Sequence, residues 1–187
     1  MLRTNVSFLS FTGQLYAKQE QEESISLKTF PAGSLLLQQG GSASKVFIVK
    51  SGITKCFFSE ENGKDYILEF LGEGEIVGEI EFLKQIPCLC HVEAVTEVEA
   101  YAISLPFFKS LLETNLELNK LLLDELAERI INTSSRASFQ QLYTVEHGLK
   151  KLLQLQSKLN IHIPKEDMAA YLGITLRSLN RALKNVV

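Results

Sequence analysis

The hydrophobic pattern of this chain changes period once, at Pro106, and that change limits what it can fold into. Before it, between Ile25 and Leu105, short apolar runs at 35–37, 46–49, 56–58, 66–68 and 98–103 alternate with glycines and polar pairs. Their spacing is roughly ten residues, the texture of a β-sandwich or barrel. Asn62-Gly63 stands between two of these runs and predicts a tight hairpin in which both central residues take positive φ. After Pro106 the spacing becomes helical: Phe107, Phe108, Leu111 and Leu112 share one face, and Thr114 or Asn115 can cap a second, longer helix. Residues 1–24 have weak periodicity and end in a Gln/Glu run, so they read as a peripheral helix or loose lead-in with little functional content.

The longer helix carries two apolar faces. Leu116, Asn119, Leu123, Leu126, Ile130, Thr133 and Ala137 fall on a seven-residue register suited to pairing with a second copy, while Leu118, Leu121 and Leu122 form another face. Such a helix has to be covered on both sides. One face is expected on its own β-domain and the other on a partner subunit, with complete burial inside a monomer as the alternative.

A further helix, from about Thr144 to Lys158, carries Val145, Leu149, Leu152, Leu153 and Leu155. Residues 163–184 (IPKEDMAAYLGITLRSLNRALK) then place Pro164 at an opening helical turn, small Ala169 where helices approach, Gly173 as a left-handed cap and Thr175 as the next N-cap. Met168, Leu172, Ile174, Leu179 and Leu183 would close a small core, leaving Arg177, Ser178, Asn180, Arg181 and Lys184 outside. This is a helix-turn-helix pattern whose second helix can enter a major groove. There Arg pairs bidentately with guanine or holds phosphate, and Thr175 can hold a phosphate oxygen. The expected partner is double-stranded DNA.

Charge agrees with that reading. The net charge is −3, which argues against a protein that coats nucleic acid, but it is unevenly spread. From Phe139 onward there are seven Lys/Arg and three Asp/Glu, a balance of +4, against twelve and nineteen, a balance of −7, before it. Apolar stretches fall short of the roughly 18 residues of a membrane span, so no membrane partner is expected. The first ten residues are too polar for a secretory signal, and Cys56, Cys88 and Cys90 make no disulfide framework, which points to a reducing, cytoplasmic setting. No nucleophile–base set, HExxH-like zinc site or Walker-type loop occurs, so an enzyme is not expected.

Three stretches together resemble the Crp/Fnr family of bacterial transcription regulators. Residues 30–40 (FPAGSLLLQQG) with 46–52 (VFIVKSG) resemble its opening strands, 72–79 (GEGEIVGE) the approach to its phosphate-binding cassette, and 163–184 its helix-turn-helix. The resemblance implies an α+β chain: a jelly-roll (double-stranded β-helix) sensor domain over 1–113, a dimerisation helix over 114–138 and a helix-turn-helix domain over 139–187. It implies an effector-gated homodimer that binds DNA and can meet RNA polymerase. In cyclic-nucleotide-binding members a Gly-Glu pair takes the ribose hydroxyl and an Arg-Ser or Arg-Thr pair takes the phosphate. Gly78 and Glu79 match the first, whereas the second falls on Cys88 and Leu89, with Cys90 next. No cation stands there, and Glu69, Glu73, Glu75, Glu79 and Glu81 crowd the segment, so classical cAMP binding is not expected. Thr133-Ser134 matches the pair that contacts the purine. The effector pocket implied by the resemblance thus comprises Gly78, Glu79, Ile80, Cys88, Leu89, Cys90, Thr133 and Ser134.

Three cysteines are too few for an Fnr-type iron–sulfur cluster, and strand alternation would separate His91 from Cys88 and Cys90, so neither haem nor a metal is expected; buried apolar thiols are the plainer reading. His147 and His162 stand isolated. The recognition helix departs from family pattern at Leu176 and Arg177, while Arg181 matches the Arg that contacts base or phosphate. The chain ends at Val187, where relatives add a β-hairpin wing. The second functional reading is therefore a ligand-binding or oligomerisation protein with a non-functional DNA-binding remnant.

Overall fold

Strand-forming residues between Ile25 and Ser104 pair into two facing sheets in the computed structural model, which describes residues 2–19 and 24–186. In chain order the elements are β1 (Leu2–Arg3), α1 (Val6–Lys18), β2 (Ile25–Phe30), β3 (Leu35–Leu37), β4 (Lys45–Ser51), β5 (Thr54–Ser59), β6 (Asp65–Leu71), β7 (Ile76–Val77) and α2 (Glu79–Lys84). They continue with β8 (His91–Ala94), β9 (Val98–Ser104), α3 (Leu105–Thr114), α4 (Leu116–Leu142), α5 (Val145–Leu159), α6 (Lys165–Leu172) and α7 (Leu176–Val186). One sheet has the order β1-β6-β5-β8-β3 and the other β2-β9-β4-β7, which makes an N-terminal β-roll followed by helices, the α+β architecture expected from the sequence.

The roll is covered on both outer faces, which is why its strands are apolar on both sides. In β4, Phe47 and Val49 point into the core between the sheets, while Val46 and Ile48 face helices α1, α3 and α4. On the opposite side Phe57, Ile67 and Phe70 pack with Leu149, Leu152, Ile163 and Met168 of the C-terminal helices.

Two local readings change. The β5–β6 hairpin is not a two-residue turn: Asn62 keeps a negative φ and only Gly63 is left-handed (φ 73°), with Gly63 N donating to Glu60 O and Glu60 N to Lys64 O. This is a three-residue loop closed by a glycine bulge, and the Asn62 side chain accepts from Lys64 N at 3.0 Å. The N-terminal segment forms α1, with Phe8, Phe11 and Thr12 buried and Asn5 as its N-cap. Residues 20–23 of the Gln/Glu run lie outside the described residues.

Helix α4 is continuous from its Asn115 cap to Leu142 and so runs past residue 138, where the dimerisation segment was expected to end. Thr144 caps α5, accepting from His147 N. Gly173 (φ 69°) ends α6 in a left-handed cap, and Pro164 sits at the N-cap position. Thr175 then accepts from Ser178 N at 3.2 Å at the start of α7.

Candidate functional site

A cavity of about 800 Å³ lies between the five-stranded sheet, the start of α2 and helix α4. Gly78 positions its key acid. With φ 92° it is left-handed, and a Cβ there would meet Lys45 O at 2.9 Å, so the turn that swings Glu79 into the cavity is closed to other residues. Glu79 is fully buried and paired with Arg129, which reaches in from α4 and also donates to Ile76 O.

Arg129 belongs to a larger charge cluster. Its Nε lies 3.3 Å from Glu125 Oε1, and Glu125 is also held by Arg3 and by Asn5 Nδ2 at 2.8 Å. Arg3 further meets Glu69 at 3.0 Å and Glu75 at 3.1 Å. Four carboxylates thus surround two guanidinium groups. Glu75 Oε2, Glu79 Oε2 and Arg129 Nε have no hydrogen-bond partner among the described residues, so at these atoms charge attraction acts without directional bonding.

Titration follows from that crowding. Burial raises Glu75 to about 7, with Arg3 and Arg129 opposing the shift. Burial also raises Glu79, again opposed by Arg129. For Arg129 burial disfavours the charge, but Glu79, Glu69 and Glu75 outweigh it and hold the guanidinium above its ordinary value.

Most residues expected in the effector pocket line this cavity: Gly78, Glu79, Ile80, Leu89, Cys90, Thr133 and Ser134. Cys88 is outside it. Its N donates to Gly41 O and its carbonyl accepts from Gly40 N, turning the buried side chain into the sheet core instead. Leu89 stands at the rim, 45% exposed, with its N–H donating to Glu81 Oε1 at 2.9 Å. Cys56 takes a place in the wall that the sequence did not suggest. Its thiol is pushed well up by a hydrogen bond with Cys90 and by burial, so it stays neutral. His91 faces away, stacked on Phe57 with ring centroids 4.9 Å apart and accepting from Gln39 N.

Arg129 and Arg3 were missed from sequence. Arg129 had one usable signal: it precedes Thr133 by four residues and therefore shares its helical face. Arg3 had none, because its position depends on β1 pairing in parallel with β6.

The C-terminal unit presents a second surface. Helix α7 buries Leu179 and Ala182 and leaves Thr175, Arg177, Asn180, Arg181 and Lys184 exposed, with Ser178 half-buried. Asn180 Oδ1 accepts from Lys165 Nζ of α6 at 3.4 Å. Helix α4 presents a third: Leu116, Leu123 and Ile130 are 68%, 67% and 68% exposed, Thr133 and Ala137 are exposed, and Asn119 and Leu126 are half-buried. Asn119 donates to Leu112 O, and Leu126 packs against the core between the roll and helices α1 and α3, so these two face their own chain, while Ile130, Thr133 and Ala137 also reach the rim of the cavity. The opposite face, Leu118 and Leu122, is buried against the roll. Among the described residues no helix is long and apolar enough to cross a membrane.

Residues 27–115 match the cyclic nucleotide-binding domain family. The cAMP-activated global transcriptional regulator CRP of Salmonella typhimurium is 24% identical over 166 residues, covering 83% of this chain and 79% of the relative. A CRP-like cAMP-activated global regulator of Mycobacterium tuberculosis is also 24% identical, covering 82% and 74%. Among solved structures, the c-di-GMP responsive global regulator CLP of Xanthomonas campestris superposes with a TM-score of 0.77 at 19% identity, covering 88% of this chain and 87% of its own.

Proposed function

We propose that this chain, which is similar to transcription regulators of the Crp/Fnr family, acts as a homodimer that binds a specific DNA sequence and is gated by a small effector in the roll cavity. The observation that carries this reading is α7, a helix anchored by Leu179 and Ala182 that exposes Arg177, Asn180, Arg181 and Lys184 together. Two arginines and an amide on one free face can take bidentate base contacts, while Lys184 and Thr175 serve phosphate. The exposed Leu116–Leu123–Ile130 stripe supports pairing of two chains along α4, which would present two recognition helices to successive major grooves. At a promoter such a dimer would meet RNA polymerase.

The effector is expected not to be cAMP in the usual family mode. No cation occupies positions 88 and 89, and the guanidinium that does reach Glu79 is already committed to it within a cluster of four carboxylates. A phosphate anion drawn to Arg129 would have to displace its buried carboxylate, so the cation of this cavity without a carboxylate partner among the described residues is Arg136, on α4, away from the family's phosphate position.

The test is selection of bound duplexes from a random pool, at low and near-physiological salt because phosphate attraction alone falls steeply between them. The expected product is an inverted repeat with half-sites about one helical turn apart. Arg177→Ala with Arg181→Ala should abolish the enrichment and leave the dimer intact. Unchanged selectivity in that variant would remove α7 as the reading helix.

A further inference from the structure

The sheet wall of the roll cavity carries two thiols. Cys56 stands on β5 opposite Val92 of β8, and the pairing of Phe57 with His91 puts Cys90 one step further along, diagonally across from Cys56 on the same face of the sheet. Both residues are 7% exposed, both line the cavity, and their thiols are in hydrogen-bonding contact. That contact, burial and the nearby Glu69 carboxylate together keep the Cys56 thiol protonated. Around the pair the lining is apolar, with Phe58, Leu68, Leu71 and Val92 beside the two sulfurs' strands. Cys88 differs from both, being buried in the core between the sheets and outside the cavity.

Two neutral thiols in contact on an apolar wall are a chelating pair for a soft element that bonds to both sulfurs and leaves no charge behind. Trivalent arsenic carrying one organic group and two hydroxyls meets that requirement. Each As–O bond is exchanged for an As–S bond, each thiol proton leaves with a hydroxyl as water, and arsenic stays trivalent, so nothing is oxidised or reduced. Reactants and product are neutral, and no uncompensated charge is buried. A divalent cation is less well served, because among the described residues no group of three or more His, Cys, Asp or Glu is arranged to hold one. We propose that Cys56 and Cys90 form a dithiol site in the roll cavity for a small organoarsenical, its organic group packed on the apolar lining. At about 800 Å³ the cavity lies within the roughly 300–1,000 Å³ of ligand sites and has room for such a group. Binding there is a property of the chain alone, so it stands or falls independently of DNA reading by α7.

The test is native mass spectrometry of the full chain titrated with phenylarsine oxide, which hydrates to phenylarsonous acid, in excess mercaptoethanol to strip adducts held by a single thiol. One phenylarsenic group should be retained per chain, at the mass that a double condensation requires, and dithiothreitol should remove it. Cys56→Ala and Cys90→Ala should each weaken retention by about a hundred-fold or more, since the second bond and its effective concentration are lost together. Cys88→Ala, a truncation of equal size in the same core, should leave retention unchanged. Wild type unfolded in urea, where the two thiols separate, should release the group. The preference for phenylarsonous acid over arsenite should exceed that of free dithiothreitol by roughly ten-fold, because the ring gains the apolar lining. Retention in either cavity variant, equal loss in Cys88→Ala, retention by the unfolded chain, or a preference no greater than that of the free dithiol would each overturn the assignment.

Discussion

Burial lifts the Glu75 carboxyl to about 7, although Arg3 and Arg129 oppose the shift. In the unfolded chain the same group titrates near 4.3. Between those values the folded state keeps a proton that the unfolded state has released, so stability falls as pH rises from about 4.3 to about 7 and is then level. The contribution lost by about pH 7.5 is on the order of 2 kcal/mol. Urea unfolding of wild type and Glu75→Gln at pH values near 5 and 7.5, at one chain concentration, should show a downward slope that the variant lacks by about that amount. Identical slopes would mean that Glu75 is already ionised in the fold. A second expectation concerns its neighbour: Arg129→Met leaves the fully buried Glu79 without its counter-ion, which should cost about 3 kcal/mol, and adding Glu79→Gln should recover much of it. Glu79 was legible through the resemblance of residues 72–79 to the family's cassette, whose Gly-Glu pair is contiguous in sequence. Arg129 shares a helical face with Thr133, but that spacing alone does not tell a solvated arginine from one turned under the helix.

At the scale of elements, α4 shows what periodicity can and cannot specify. Its two apolar faces were legible, and the structure buries Leu118 and Leu122 while leaving Leu123 and Ile130 in the open. Two leucine-sized side chains per chain, each worth about 1.5–3 kcal/mol on full burial, are a substantial part of what a pair of such helices gains on meeting. Leu123→Glu with Ile130→Glu should therefore give a folded monomer in sedimentation analysis, because the opposite face still packs on the roll. A variant that sediments as the wild type does would mean that this stripe is not a seam between two chains. Strands were legible as apolar runs, but the register shift opposite Cys56 and Phe57, where the pairing on β6 steps from Glu69 to Ile67 and so turns Leu68 and Leu71 inward and Ile67 and Phe70 toward the C-terminal helices, has no sequence mark. Helix α1 was equally faint, as Phe8 and Phe11 alone supply its buried apolar side chains.

Across the whole molecule, the sequence indicated the order roll, long helix, helix-turn-helix, but not what packs on the outside of each sheet. What covers the five-stranded sheet follows only from the docked structure. Helix α6 lies on β6, Asp167 takes Lys55 at 2.8 Å, and Lys55 is held from its other side by Glu93 at 3.1 Å. Phe70 meets Tyr171 with centroids 5.4 Å apart, and Arg136 lies between Tyr66 and Tyr171, with its Cζ 5.0 and 4.2 Å from their ring centroids. The exposed face of α7 with Arg177 and Arg181 lies away from this contact, so docking holds the C-terminal helical unit without covering those arginines. Asp167→Lys would set two ammonium groups against each other in a largely dehydrated contact while leaving the apolar one in place. Hydrogen exchange should then quicken through α6 by roughly ten-fold, the equivalent of about 1.4 kcal/mol, with the roll core unchanged. Unaltered exchange in α6 would mean that the apolar contact alone fixes the C-terminal helical unit. In that case an effector could free it only by moving β6 or α4, not by disturbing the Lys55–Asp167 pair.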